Sequence, residues 1–173
     1  MLSKNIEVAL NNQIRIEAES SQIYLSMACW AEVNGLEGIA QFMYAQSDEE
    51  RTHMLKLIKY VNERGGHAQI TDLKASKTTY DAFQGMFEEL YKHEIFVSNS
   101  INELVHITFA EKDYATHNFL QWYVAEQIEE EATAKSILDK INLIGDDKGG
   151  LYLFDRDIQQ AAVASAAAAA ATK

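Results

Sequence analysis

The sequence predicts an all-α fold: a four-helix bundle with one long crossover connection and a short fifth C-terminal helix. Three observations carry that prediction. The 173 residues include no proline and only 8 glycines, so little interrupts a helix. The punctuation that exists falls at a few places, chiefly Asn34-Gly35, Gly65-Gly66 and the stretch GDDKGG at 145–150. Between those marks apolar residues recur at spacings of three and four rather than two.

The elements follow in order. A first helix ends at Asn34-Gly35 and places Ile6, Leu10, Ile14, Tyr24 and Ala28 on one face. A second ends at Gly65-Gly66 and aligns Ile39, Phe42, Met43, Leu57 and Val61. A polar connector, HAQITDLKASKTT, separates it from a third helix running from Tyr80 to about Glu111, with the stripe Phe83, Phe87, Leu90, Ile101, Val105 and Thr108. Asp113 is the N-cap of a fourth, which carries Phe119, Tyr123, Ile137, Ile141 and Ile144 and stops at Gly145. The fifth helix starts near Leu151. Residues 1–145 are thus expected to form the bundle, and 146–173 a loop, the fifth helix and an alanine-rich tail.

Loop lengths set the topology. The turns at 34–35 and 112–113 are short enough to join antiparallel neighbours. The connector of about 14 residues reaches ~45 Å at ~3.3 Å per extended residue. A 28-residue helix is ~42 Å long. The connector therefore spans the bundle, and the chain reads as two hairpins joined by one crossover.

Charge and cysteine content narrow the function. Fifteen Lys+Arg against 26 Asp+Glu give a net charge of −11, which disfavours nucleic-acid binding and suits cations. The single cysteine, Cys29, excludes an internal disulfide framework and a thiolate zinc cluster. No run approaches the ~20 apolar residues of a membrane span, and Met1–Leu10 lacks the pattern of a secretory peptide. A soluble, cytoplasmic protein with no nucleic-acid or membrane partner is expected.

Each apolar stripe carries an oddity. Glu17 continues the first, Glu50 and His53 the second, Glu94 the third, and Gln127 and Glu130 the fourth. At 1.5 Å per residue the five ionisable groups lie ~20–25 Å from one end of the bundle, in a single layer. An ionised carboxylate in a dry interior costs several kcal/mol unless it is paired or holds a metal. One glutamate on an apolar stripe ordinarily snorkels to solvent, but five groups at one level on four stripes point to metal. Four carboxylates and one imidazole form a hard donor set suited to iron or manganese, with charge enough for two divalent ions. Glu50 and His53, at i and i+3, leave the same helix face. Glu131, in the acidic run at 126–131, reads as a solvated residue. Tyr24 and Trp122 fit either core packing or a redox role.

At these residues the sequence resembles the ferritins, most nearly the bacterial non-haem ferritins. The strings that carry the likeness are DEERTH (48–53), YKHE (91–94) and NFLQWYVAEQIEEE (118–131). The resemblance implies that Glu17 and His53 hold one iron, Glu94 and Glu130 a second, and Glu50 bridges them, with Gln127 beside the pair. It implies a possible third iron at Glu49, Glu126 and Glu129, sharing Glu130, and makes Tyr24 an additional electron donor. The implied cofactor is iron, two per subunit with that third, and no haem. The implied activity is ferroxidation of Fe(II) by O₂ or peroxide, with ferric mineral stored in a homo-oligomeric cage of 24 subunits. Thr133 stands where bacterioferritins repeat Glu-x-x-His, and Thr52 where they place a haem-ligating methionine. The tail AAVASAAAAAATK departs from the mixed fifth helix of the family, although alanine favours helix there. Three other functions stay open on the residues alone: a passive storage subunit, a non-caging di-metal oxidase acting on an organic substrate, and a metal-free interaction module.

Overall fold

Five helices follow one another: α1 (Lys4–Val33), α2 (Glu37–Glu63), α3 (Phe83–Ala110), α4 (Tyr114–Ile144) and α5 (Lys148–Ala171). They are seen in a computed structural model that describes the backbone of residues 1–171 and the side-chain surroundings of residues 1–160. Among the described residues there is no strand, and no helix is long and apolar enough to cross a membrane. Local chemistry sets the ends. Ser3 Oγ accepts the Ile6 N–H at 3.1 Å, and Asp113 Oδ1 accepts the Thr116 N–H at 3.0 Å, capping α1 and α4. The α1–α2 turn passes through Gly35 at φ 74°, a conformation that costs glycine nothing.

Cross-helix bonds fix the directions. Glu111 accepts from Asn5, Ser100 donates to Gln13 and Tyr24 donates to Glu94, so α3 runs antiparallel to α1. Tyr60 donates to Thr116 and Arg64 to Asp113, so α4 runs antiparallel to α2. The connector follows α1 lengthwise: Asn11 binds the backbone of His67 and Gln69, and Ser26 donates to the Lys77 carbonyl. It carries the chain back along the bundle, leaving α2 and α3 parallel, as the loop lengths predict.

The fifth helix begins at Lys148, three residues before Leu151. Asp147 makes the difference: its carboxylate accepts the N–H groups of Gly149 and Gly150 at 3.2 and 2.8 Å, so these glycines form a capped first turn rather than a loop. Phe154 and Ile158 anchor α5 in the core. Its Asp155 supplies the cap that α2 lacks from its own N-cap residue, Leu36, accepting the Gly38 and Ile39 N–H groups at 3.1 and 2.9 Å. Gly38 is required there, because a Cβ would lie 1.7 Å from the Asp155 carbonyl oxygen.

The core is split in two. One apolar cluster gathers Tyr24, Met27, Met43, Phe87, Leu90, Ala134, Ile137 and their neighbours. The other gathers Leu10, Ile14, Ile16, Leu57, Val97, Ile101, Leu120 and Tyr123. Along all four bundle helices the gap between the clusters falls at the carboxylates: between Ile16 and Tyr24, Met43 and Leu57, Leu90 and Val97, and Tyr123 and Ala134. Phe42, Phe83, Val105, Phe119 and Ile144, placed on the stripes by periodicity, pack at the edges and are half-buried.

Candidate metal centre

Between the two clusters lies a polar layer built by one turn from each helix. Glu17 of α1, Glu50 and His53 of α2, Glu94 of α3, and Gln127 and Glu130 of α4 are all buried, none more than 8% exposed. Ligand atoms of Glu17, Glu50 and His53 lie within 4.8 Å of one another. His53 Nδ1 is 3.3 Å from Glu50 Oε2, the reach that an i, i+3 pair gives. Glu49, His53 and Glu126 form a second group of the same tightness. Glu94 and Glu130 lie in the same buried layer on the α3–α4 side but in neither tight group, and there Gln127 Nε2 donates to Glu94 Oε2 at 3.2 Å and Tyr24 donates to Glu94 Oε1. Glu129 is exposed and stands outside both groups.

The layer is electrostatically costly without a cation. Burial, and then the charge of Glu50, push the Glu17 carboxyl well above its ordinary range. Burial does the same to Glu50, which also feels Glu94 and Glu130. Glu130 is pushed up to about 9 by burial and by the neighbouring carboxylates, first among them Glu94. Burial and the Glu94 charge hold the Tyr24 hydroxyl protonated, as a donor. Glu50 Oε2 is buried with no hydrogen-bond partner. A buried acceptor left bare is normally worth ~1–3 kcal/mol of lost stability. Such an atom, beside three more carboxylates and an imidazole, fits a hard divalent cation.

A supporting shell went unread in the sequence. Gln13 Nε2 donates to Glu17 Oε1 at 2.8 Å, and Ser100 in turn donates to Gln13 Oε1 at 2.7 Å. Gln46 Nε2 holds Glu49 Oε2 at 3.0 Å, and the Tyr123 hydroxyl holds the His53 carbonyl at 2.8 Å. Gln13 could have been found, since it precedes Glu17 by one helical turn on the same face. Trp122 stacks edge-on against His53, ring centres 5.1 Å apart, with the Lys56 ammonium 3.1 Å above its indole ring. Glu131, expected to be solvated, is instead half-buried and accepts from the Ser98 hydroxyl, because α3 packs over that side of α4.

Comparison with known proteins agrees with this architecture. Residues 7–144 match the family described as Ferritin-like domain. A probable bacterial non-heme ferritin-like protein of Haemophilus influenzae is 46% identical, the match covering 91% of this chain and 96% of that protein. A bacterial non-heme ferritin of Campylobacter jejuni is 44% identical, covering 94% and 98%. Among solved structures, an open-pore ferritin from the archaeon Archaeoglobus fulgidus superposes with a TM-score of 0.91 at 42% identity, covering 92% of this chain and 98% of its own. Likeness of that extent in both sequence and backbone spans the two hairpins, the crossover and the polar layer between the cores, and the chain belongs to the ferritin family.

Proposed function

We propose that the protein stores iron and oxidises it on the way in, taking Fe(II) to Fe(III) with O₂ or peroxide at a paired carboxylate centre. The observation that carries this reading is the buried oxygen of Glu50 that makes no hydrogen bond, grouped tightly with Glu17 and His53 and near enough to Glu94 and Glu130 to feel their charge. A carboxylate in that position can bridge two cations. Glu17, Glu50 and His53 would receive one Fe(II), and Glu50, Glu94 and Glu130 the second, with Gln127 alongside. Two Fe(II) supply two electrons, and O₂ with two protons becomes hydrogen peroxide. Protons are at hand, because Glu130 must give its own up for Fe(II) to bind, and burial favours the protonated form of Glu17 as well. Glu49 and Glu126, and beyond them Glu129, would hold a third iron close to the pair.

Three features support this beyond the centre itself. A net charge of −11 draws cations to the protein. The named relatives are ferritins, and a family of that kind supports a homo-oligomeric cage of 24 subunits in the cytoplasm. Residues 1–145 would be the iron-oxidising bundle and 146–173 a loop, fifth helix and alanine-rich tail, of which the part through Gln160 is seated on the bundle through Asp155.

The test is to load metal-free protein with Fe(II) anaerobically, admit a pulse of O₂ and follow near-ultraviolet absorbance. A fast ferric rise saturating at two or three irons per chain is expected, and Glu50→Ala and His53→Ala should abolish it while remaining folded. Oxidation no faster than that of iron in buffer leaves a passive shell, and unchanged turnover in both variants removes the site assignment.

A further inference from the structure

We propose that Glu131 and Ser98 are positioning residues that hold Glu94 in place for its metal, acting through Gln127. This rests on the paired metal centre described above. The contacts form one continuous rail. The Ser98 hydroxyl donates to Glu131 Oε1. Ser98 Oγ then accepts from Gln127 Nε2 at 3.2 Å, and the two hydrogens of that amide nitrogen are shared with Glu94 Oε2 at 3.2 Å and the Glu94 carbonyl at 3.3 Å.

Polarity is what Glu131 contributes. A hydroxyl has one proton, and a carboxylate can only accept. With that proton committed to Glu131, Ser98 presents a lone pair to Gln127 and cannot donate to it. The hydroxyl then adds to the two Glu94 oxygens as a further acceptor facing the amide, and all three favour the NH₂ orientation. Were the hydroxyl free to donate, the amide could flip and set its carbonyl oxygen against the Glu94 carboxylate, which would repel it. On the opposite oxygen, Tyr24 supplies the matching donor. Glu94 is thus held from both sides, and one of the two restraints is keyed by a half-buried glutamate outside the donor layer. Outer-shell partners of this kind typically tune metal affinity 10–100-fold.

The substitution Glu131→Gln tests this directly, because it keeps shape while giving position 131 a donor that can reverse the rail. Metal-free protein is titrated anaerobically with Co(II), resolving two binding constants from its visible absorption. Glu94→Ala and His53→Ala show which constant belongs to which side of the centre. Glu131→Gln and Ser98→Ala should each weaken the Glu94-side constant about tenfold or more, leave the His53-side constant within about twofold, and leave the melting temperature unchanged. Ser98→Thr, which keeps the hydroxyl, should bind as the unaltered protein does. The inference is overturned if both constants in Glu131→Gln stay within about twofold of the parent, if both fall together, or if Ser98→Thr behaves like Ser98→Ala. If the parent protein itself binds no pair of Co(II) ions, the metal-centre reading is lost and this one with it.

Discussion

Filling the centre with metal should expel protons, and the structure says roughly how many. Glu130, at about 9, is ~99% protonated at neutral pH, and Glu17 lies well above its ordinary range for the same reason, burial. Metal can bind only once the Glu130 proton leaves, so filling the centre should release at least about one proton per chain at pH 7, and burial of Glu17 and Glu50 acts in the same direction. Removing the Glu130 proton at pH 7 costs ~2.7 kcal/mol, or ~100-fold in affinity. Apparent affinity should therefore climb about tenfold per pH unit for each such carboxyl between pH 6 and 8. Zn(II), which has no redox chemistry to confuse the count, can be titrated into weakly buffered metal-free protein with a pH indicator. Glu130→Gln should release about one proton fewer. Release below about half a proton per chain, together with an affinity flat from pH 6 to 8, would refute the electrostatic account, because it would mean the carboxylates stand ionised before metal arrives.

The same groups make the metal-free fold less stable as pH rises. Their folded values lie above the unfolded 4.5, so the stability they confer is complete below 4.5 and is lost progressively toward about 9, and melting curves of metal-free protein from pH 5 to 9 should fall accordingly unless Zn(II) is added. Asp155→Ala should cost ~1–2 kcal/mol by uncapping α2, and Gly38→Ala should cost more because α5 must move away, both measured by denaturant unfolding. Leu57→Ala, fully buried one turn beyond His53, should lose ~2–5 kcal/mol without changing metal stoichiometry, a separation that calorimetry and Zn(II) titration read together. Glu126→Ala should remove a third metal ion and spare the first two, whereas exposed Glu129→Ala should act more weakly; equal losses from both would show that Glu129 binds as an equal partner.

The four long helices were legible because every rule agreed along them: no proline, glycine at the ends, a cap at Asp113, and an unbroken stripe. The candidate donors were legible for the opposite reason, since Glu17, Glu50, His53, Glu94 and Glu130 broke those stripes at one height. Disagreement between polarity and position was the signal. The start of α5 was not legible, because Gly149-Gly150 reads as a breaker until Asp147 is seen to cap their N–H groups. Nor were Ser98 and Glu131. They meet across α3 and α4, 33 residues apart in sequence, and neither belongs to a stripe, so periodicity is silent about them. Gln127 was readable as a core polar residue, but which of its atoms faces Glu94 depends on that unread contact.

Why this layer survives in the middle of a core follows from what flanks it. An apolar layer would pack more cheaply than buried carboxylates, and a single bare charge there would destabilise the fold by several kcal/mol. The chain meets that cost by keeping a proton on Glu130, by burial that favours the protonated form of Glu17, and by placing two separate apolar clusters above and below. Each cluster draws on all four helices, so the spacing across the layer is set twice and does not depend on the layer's own contacts. The donors can then remain short of partners, as Glu50 Oε2 is, without the site collapsing onto itself. The proposed passage of Fe(II) in and Fe(III) out would need that arrangement: rigid walls supplied by the clusters, and ligands whose best partner is a transient cation rather than one another.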